Sequence, residues 1–353
     1  MAVTDIYDAI PKVELHCHVE GTVRAATVLE LARKAGRPLP VDDPAELYRY
    51  SSLDSFLAIF WLIQETLVGP ADWERIAYEA LVDAAPHGLR YREMFFTPAR
   101  HLAAGQDLAG IVAGLTAGIE AAEAETGVRS MLIADMDKAY GPAAGLEMVE
   151  ALVALRRAGA AERVIGVGMD STELGVDHAA FADAFALARR NGLRLTGHAG
   201  EAVGEGSRNI RICLDALGLE RIDHGVAVME DPELVRRMAA ERVPLTVCPT
   251  SNIVIANRFA SLAEHPFRAM REAGLLATLN TDDPGMTDLD LGREYRAVAD
   301  AMAFGFDEIA AVALDGVEAA WLDEADRRDL RARFEREIGA LQAGARTEPL
   351  ASA

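Results

Sequence analysis

Eight short apolar runs alternate along the chain with longer stretches of helical periodicity, and this alternation limits the possible folds more than any other feature. Each run has the length of a buried strand. Between them, a stretch such as 107–126 repeats apolar residues at three- and four-residue steps and ends at Gly127, a helix stop. The runs are 13–21, 89–98, 130–138, 164–173, 193–201, 221–225, 244–252 and 275–284.

Eight strand–helix units favour an α/β fold, a closed (β/α)8 TIM barrel, over an open doubly wound sheet, which is the alternative. The first and second runs are about 65 residues apart, so we predict a helical insertion over 22–88. Its apolar part, 55–67, is expected to pack on the barrel, to form a lid that contacts substrate through Leu57, Phe60 and Trp61, or to do both. We expect one domain over 1–345, with C-terminal helices in 301–341 and a flexible tail over 346–353.

Charge and composition argue against several classes of partner. The net charge of −21 disfavours a nucleic-acid surface, which needs clustered Lys and Arg. No stretch of 18 apolar residues predicts a membrane span, and the acidic N-terminal segment is unlike a signal peptide. Three scattered cysteines fit a reducing compartment, so we expect a cytoplasmic protein. An oligomer is possible, but nothing in the sequence indicates one.

Polar residues that could bind a metal end several of the apolar runs. His16 and His18 are two residues apart in a strand and therefore face the same side. Further along the chain, His198, His224 and the pair Asp282-Asp283 end other runs, and the carboxyl ends of barrel strands are where chemistry takes place. Imidazole and carboxylate are good zinc ligands, and a cation would compensate a buried Asp-Asp pair.

The other histidines and the cysteines are predicted to have no such role. His87, His101, His178 and His265 lie outside the strand ends, and we expect ordinary surface or capping side chains there. Cys17 and Cys248 are interpreted as small buried apolar residues and not as ligands.

As a set, five motifs resemble the adenosine deaminase family of the amidohydrolase superfamily. They are HCHVEG (16–21), GHAGE (197–201), RIDHG (221–225), CPTSN (248–252) and NTDDP (280–284), and the likeness covers roughly residues 10 to 300. The resemblance implies one Zn²⁺ per chain, which activates a water molecule. Its implied ligands are His16, His18, His198 and Asp282. The fourth run has no lysine of the kind that bridges two metals in binuclear members, which favours a single ion.

The resemblance also implies roles around a small-molecule purine substrate. Glu201 would be the proton shuttle to ring nitrogen N1, and His224 would orient the attacking water. Asp283 would hydrogen-bond the N7 edge of the purine. The remaining predicted substrate contacts are His18, Glu20, Gly168 and Glu173.

Three places depart from the nucleoside-specific members of this family. Glu20 stands where those members carry an Asp that meets the ribose, and Glu173 stands where a glycine amide meets purine N3. A carboxylate there would suit a free base. The third run ends in Asp135-Met136-Asp137-Lys138, which matches no pattern of the family. This segment either forms a solvated loop or recognises a polar group on an unusual substrate.

Three hypotheses for the function follow. The first is a zinc-dependent hydrolase that converts the 6-amino group of an adenine-type purine to the 6-oxo group with release of ammonia. Its substrates rank as adenosine or a modified adenine nucleoside, then aminodeoxyfutalosine, then free adenine. The second is a related zinc aminohydrolase for a non-purine or pterin amine. The third, a catalytically silent binding protein, predicts loss of a ligand or of Glu201, and none is lost.

Overall fold

The structure, a computed structural model, describes residues 5–50 and 53–347. Its strands pair in parallel, in the orders β1-β2-β3-β4-β5 and β6-β7-β8-β9. The strands are β1 (Lys12–Glu14), β2 (Leu89–Phe96), β3 (Arg129–Asp137), β4 (Val164–Asp170), β5 (Arg194–Leu195), β6 (His198–Ala199), β7 (Ile222–His224), β8 (Pro244–Val247) and β9 (Leu276–Leu279).

Two junctions join these sheets into one barrel. The segments β5 and β6 are the two halves of the fifth barrel strand, interrupted at Thr196 and Gly197. At the other junction, the extension of β9 pairs with the extension of β1, since His18 N donates to Asp282 O at 2.9 Å and Asp282 N donates to His16 O at 3.1 Å. The predicted (β/α)8 barrel is therefore confirmed.

Helices surround the barrel, and α2 to α5 fall in the long connection between β1 and β2. The α-helices are α1 (Ile6–Ala9), α2 (Ala25–Ala35), α3 (Pro44–Leu47), α4 (Leu53–Thr66), α5 (Pro70–Ala84), α6 (Ala99–Ala103), α7 (Leu108–Thr126), α8 (Gly141–Arg157), α9 (Ala182–Arg190), α10 (Gly206–Ile212), α11 (Pro232–Glu241), α12 (Pro249–Val254), α13 (Phe267–Glu272), α14 (Leu291–Met302), α15 (Phe306–Ala319) and α16 (Glu324–Thr347). Single turns of 3₁₀-helix include Glu20–Thr22, Ala85–His87, Lys138–Tyr140, His178–Phe181, Val226–Glu230 and Leu262–Glu264, and Cys213–Leu217 is a π-helix.

Helix α7 shows how the local sequence produces this packing. The Asp107 side chain caps its first turn by accepting from Gly110 N at 3.2 Å, and Gly127 ends it with a φ of 72°. Glycines on its inner face let α5 approach closely, because a Cβ at Gly114 would lie 2.2 Å from Pro70 O. The contact buries Trp73 completely, a burial worth roughly 1.5–3 kcal/mol for a large apolar side chain.

The strand runs were located correctly, with two differences in detail. Only the first half of the run 244–252 is strand, because Pro249 starts helix α12, and proline is favoured in a first helical turn. The final helix runs to Thr347, so the first two residues of the tail predicted over 346–353 are helical, and the rest of that tail lies outside the described residues. Among the described residues, no helix combines the length and apolarity needed to cross a membrane. The single-domain boundary at 345 and the lid role of 22–88 stay predictions.

Candidate active site

Four predicted ligands converge at the carboxyl ends of the first, fifth and eighth barrel strands. Asp282 Oδ1 lies 3.2 Å from His16 Nε2 and 3.4 Å from His18 Nε2. His18 Nε2 is 3.1 Å from His198 Nε2. All four side chains are buried, and their ligand atoms lie within 4.8 Å of one another. The barrel thus brings together three imidazoles and a carboxylate, the donor set of a catalytic zinc centre.

Hydrogen bonds on the outer side of two rings direct their second nitrogens inward. His16 Nδ1 lies 3.2 Å from Thr246 O, and His198 Nδ1 lies 3.1 Å from Met169 O, so each Nδ1–H donates to a carbonyl. The inner His16 Nε2 is buried without a hydrogen-bond partner. Burial also lowers the pKa of His18 to about 4, which keeps the imidazole in the neutral form that binds metal. These residues fit a metal ion.

The backbone is strained at two residues of this site. Asp282 has a φ of 65° and His224 a φ of 60°, both in the left-handed region that non-glycine residues rarely adopt. Such conformations cost on the order of 1–3 kcal/mol and persist where the surrounding structure enforces them. Ser251 Oγ donates to Asp282 Oδ2 at 2.6 Å and helps to hold the carboxylate in place.

A chain of hydrogen bonds fixes the tautomer of His224. Phe267 N donates to His265 Nδ1 at 3.2 Å, so the proton of that ring is on Nε2. His265 Nε2 then donates to Asn252 Oδ1, and Asn252 Nδ2 donates to His224 Nδ1, each at 3.1 Å. His224 therefore carries its proton on Nε2, which faces Glu201 Oε2 at 3.6 Å and Asp282 Oδ2 at 3.8 Å. This N–H is directed into the site.

Glu201 is held by its backbone, which leaves its carboxyl group available. Its N–H donates to Glu173 Oε1 at 3.0 Å, and its carbonyl accepts from Arg258 Nη1 at 2.9 Å. The preceding Gly200 has a φ of 81°, and a Cβ there would lie 2.6 Å from Ile210 Cδ1. Burial, with the neighbouring carboxylates of Asp282 and Glu173, raises the pKa of Glu201 to about 8. Its carboxyl group is therefore protonated at neutral pH, as a general acid requires.

Asp283 is the second buried acid of the NTDDP motif. Its Oδ1 has no hydrogen-bond partner and lies against Gly21, where a Cβ would be only 1.8 Å away. Burial and the nearby Asp282 and Glu20 raise its pKa well above the ordinary value. A protonated Asp283 could donate a hydrogen bond, for example to a ring nitrogen.

Three further acids and a threonine lie close together near His18. We call this group the acidic recess: Glu20, Thr97, Asp135 and Asp170. Glu20 Oε1 accepts from Thr97 N at 2.9 Å, and the Thr97 hydroxyl donates to Asp170. Asp135 and Asp170 each place an oxygen within 4.8 Å of a His18 ring nitrogen. The strand end 135–138 is therefore no solvated loop at Asp135, which is completely buried.

Comparison with known proteins agrees with this geometry. Residues 11–336 match the family model described as adenosine deaminase. The chain belongs to the adenosine deaminase family. It is a hydrolase of the adenosine/adenine deaminase type, as the motifs predicted. It is 37% identical to an adenine deaminase of Streptomyces coelicolor, over 95% of this chain and 98% of that protein. An adenosine deaminase of Shewanella loihica is 35% identical over 92% and 98% of the two chains.

Solved structures of the deaminase family and its superfamily share the fold. An adenine deaminase from Arthrobacter aurescens superposes with a TM-score of 0.86, is 31% identical, and covers 95% of this chain and 99% of its own. A Burkholderia ambifaria amidohydrolase with bound Zn superposes with a TM-score of 0.90 at 30% identity, covering 97% and 94%. An Arabidopsis protein complexed with IMP has a TM-score of 0.81 at 25% identity, covering 95% and 98%.

Two predicted substrate contacts of this deaminase-family chain are engaged by protein groups. Both Glu173 oxygens accept hydrogen bonds, one from Glu201 N and the other from Asn209 Nδ2 at 3.4 Å. Gly168 faces the carboxylate of Asp135, since a Cβ there would lie 2.0 Å from Asp135 Oδ1. In this structure Glu173 therefore orders the Glu201 loop, and Gly168 makes room for Asp135. Their direct contact with substrate stays a prediction.

The predicted lid residues lie on helix α4, which packs against the turn Glu20–Thr22. Phe60 stacks on Phe56 with ring centroids 6.1 Å apart. Trp61 is 44% exposed, and the Arg100 guanidinium lies over its ring at 5.3 Å. The Leu57 side chain lies outside the described part of the structure. Contact between this helix and a substrate stays a prediction.

The expectation of ordinary surface histidines was wrong at three positions. His101, His178 and His265 are buried, and His265 is the ring that supports Asn252. The sequence could not show the role of His265, because Asn252 lies 13 residues away and no repeating pattern relates the two positions. By contrast, Cys17 and Cys248 are buried free thiols, as predicted. Burial raises the pKa of Cys248 well above the ordinary value, which disfavours a thiolate ligand.

Proposed function

We propose that this protein is a zinc-dependent aminohydrolase that converts the 6-amino group of an adenine-type purine to the 6-oxo group and releases ammonia. The supporting observation is the convergence of the His16, His18 and His198 ring nitrogens on Asp282, beside an acid and a directed imidazole N–H. We assign one Zn²⁺ per chain to these four ligands. When bound, zinc would lower the pKa of a water molecule so that it attacks near neutral pH.

The residues around this centre supply the other parts of the reaction. Glu201, protonated at neutral pH, would donate to purine N1 and make the ring carbon C6 more electrophilic. The Nε2–H of His224 would orient the attacking water and stabilise the negative charge that develops on its oxygen. A protonated Asp283 would donate to N7, which accepts hydrogen bonds. Each assignment uses a proton whose place follows from burial or from a hydrogen-bond chain.

For the substrate, adenosine or a modified adenine nucleoside ranks first. A relative at 35% identity is named adenosine deaminase. Free adenine is the second candidate, since four relatives at 32–37% identity are named adenine deaminase.

A screen for ammonia release tests the proposal. The purified protein, loaded with Zn²⁺ and assayed for metal content, would be offered adenosine, deoxyadenosine, adenine, methylthioadenosine, aminodeoxyfutalosine and an aminopterin. We expect ammonia and the 6-oxo product from at least one adenine compound, with one zinc per chain. Ammonia from the aminopterin alone would favour the non-purine hypothesis, and two tightly bound metals would contradict the mononuclear assignment.

A further inference from the structure

Helix α12 carries two side chains that support the active site, and both lie in its first turn. Ser251 Oγ donates to Asp282 Oδ2 at 2.6 Å, and Asn252 Nδ2 donates to His224 Nδ1 at 3.1 Å. Ser251 and Asn252 are both buried. The position of this single turn therefore affects the carboxylate of a metal ligand and the tautomer of the directed imidazole at the same time.

The start of α12 lacks the usual stabilisation of a helix N-terminus. Cys248, the residue before the helix, forms no side-chain cap, and Pro249 has no N–H. The N–H of Thr250 is then the first in the helix that needs a partner from outside it. A helix of six residues forms few internal hydrogen bonds, and short helices depend on tertiary contacts. We therefore expect another element to fix this turn.

Glu294 of helix α14 supplies that contact. Its Oε1 accepts from Thr250 N at 3.0 Å, and its Oε2 accepts from the Thr250 hydroxyl. The Glu294 side chain has no exposed surface, and burial raises its pKa to about 7. The contact does not require a charge, because a neutral carboxyl group keeps one oxygen that accepts from the N–H and has an O–H for the hydroxyl oxygen. Glu294 is thus bonded twice to the residue directly before Ser251.

We propose that Glu294 is a positioning residue, which acts through Thr250 to fix the first turn of α12. Through its two hydrogen bonds into the site, that turn holds the carboxylate of Asp282 and keeps the proton of His224 on Nε2. Both hydrogen bonds of Glu294 end on Thr250, so it acts on the site through that turn. This inference deepens the proposed function and rests on it for the effect on turnover, but not for the effects on zinc affinity and on the His224 ring.

Two substitutions of Glu294 separate its hydrogen bonds from its charge. Glu294→Gln keeps an acceptor for the Thr250 N–H and a donor for the hydroxyl oxygen, whereas Glu294→Leu removes both. Competition with a chelator gives the zinc Kd of each purified protein. We expect Glu294→Leu to bind zinc about tenfold more weakly, the lower end of the range for outer-shell partners, and Glu294→Gln to remain within about twofold of the wild type.

Nitrogen NMR of the histidine rings measures the second effect. In the ¹⁵N-labelled zinc-loaded protein, the His224 signals show which ring nitrogen carries the proton, and a His224→Gln spectrum assigns them. We expect the proton on Nε2 in the wild type and in Glu294→Gln, and a mixture of the two tautomers in Glu294→Leu. A uniform loss of stability would not change this signal in the folded protein.

Glu79→Leu is the matched control. Glu79 is also a buried acid that accepts from a threonine hydroxyl, Thr27 Oγ1 at 2.7 Å, but this pair joins helices α5 and α2. We expect Glu79→Leu to lower the stability and to leave the zinc Kd and the His224 tautomer unchanged. Thr250→Val, which removes only the hydroxyl, gives a second test if Glu294→Leu does not fold. It should weaken zinc binding in the same direction, but by less.

Three results would overturn the inference: a wild-type zinc Kd and tautomer in Glu294→Leu, an equal loss in Glu79→Leu, or unchanged zinc binding in Thr250→Val. A loss in Glu294→Gln as large as that in Glu294→Leu would contradict the hydrogen-bond account. If an adenine compound releases ammonia, kcat of Glu294→Leu should also fall about tenfold with little change in KM. If none is deaminated, the proposed function fails, but the zinc and NMR measurements still decide the role of Glu294.

Discussion

The metal-ligand set and the acidic recess share His18 but differ in how their polar atoms are satisfied. On the metal side, the outer nitrogens of His16 and His198 donate to backbone carbonyls, and Asp282 accepts from Ser251. On the recess side, Asp135 has no partner for either oxygen. The metal side has its outer polar atoms satisfied, whereas the acidic recess keeps carboxyl oxygens without hydrogen-bond partners.

The largest expected effect falls on the reaction. Replacing Glu201 by Gln removes the proton that we assign to purine N1 but keeps the loop, which is held by its backbone bonds to Glu173 and Arg258. We expect kcat to fall by about 10²–10⁴-fold, the range of general-acid catalysis, with zinc retained. Single-turnover assays with metal analysis measure both. Near-normal turnover would remove Glu201 from this role.

A smaller loss is expected from the hydrogen-bond chain behind His224. Asn252→Leu leaves His224 Nδ1 and His265 Nε2 without their partners, so the proton on His224 is no longer fixed. We expect kcat to fall about 10–100-fold, as for other outer-shell partners, with little change in KM. Asn191→Leu, at a residue that contacts Arg157 near the surface, is the control. A change confined to KM or to stability would contradict the positioning role.

The pH profile follows from the acid form of Glu201. Its pKa of about 8 lies above the ordinary value, so the active, protonated form is present at neutral pH and is lost as pH rises. We expect kcat/KM to fall above pH about 8, by about tenfold for each further unit. The Glu201→Gln variant should lack this limb of the profile. Activity that increases through pH 8 to 10 would contradict the assignment.

The smallest effect concerns the recess alone. A Cβ at Gly168 would lie 2.0 Å from Asp135 Oδ1, so Gly168→Ala should displace that carboxylate and cost about 1–3 kcal/mol of unfolding free energy. Zinc content should stay unchanged. Gly339→Ala, a helical position where nothing lies within 4 Å of the added Cβ, should be neutral or slightly stabilising. Denaturant unfolding measures the free energy of both variants. Loss of zinc in Gly168→Ala would contradict the expectation that this change affects the acidic recess and not the metal ligands.

Sequence patterns predicted the barrel and the ligands because both depend on short-range regularity. Apolar runs and helical repeats placed the strands, and the ends of those strands gave His16, His198 and Asp282. The fifth barrel strand was predicted as one continuous run, although the structure interrupts it at Thr196 and Gly197. The lid role of Leu57, Phe60 and Trp61 had only an apolar helix to support it, and it stays a prediction.

Contacts between distant residues could not be predicted in the same way. Asn252 and His265 meet because helix α12 and the segment before α13 fold against each other, and neither residue follows a period. Asp135 was ambiguous, since a charge at a strand end is ordinarily solvated. Its burial depends on the space that Gly168 leaves on the neighbouring strand. The sequence contains both residues, but only the register of β3 and β4 pairs them.

A zinc titration of the metal-free protein, followed by ammonia release from the best adenine nucleoside, tests the central claim most directly. One ion held by His16, His18, His198 and Asp282 should restore activity linearly up to one equivalent per chain. Turnover should then stay constant on further addition. Full activity without metal, a second equivalent needed for activity, or no ammonia at any zinc level would contradict a mononuclear zinc purine deaminase.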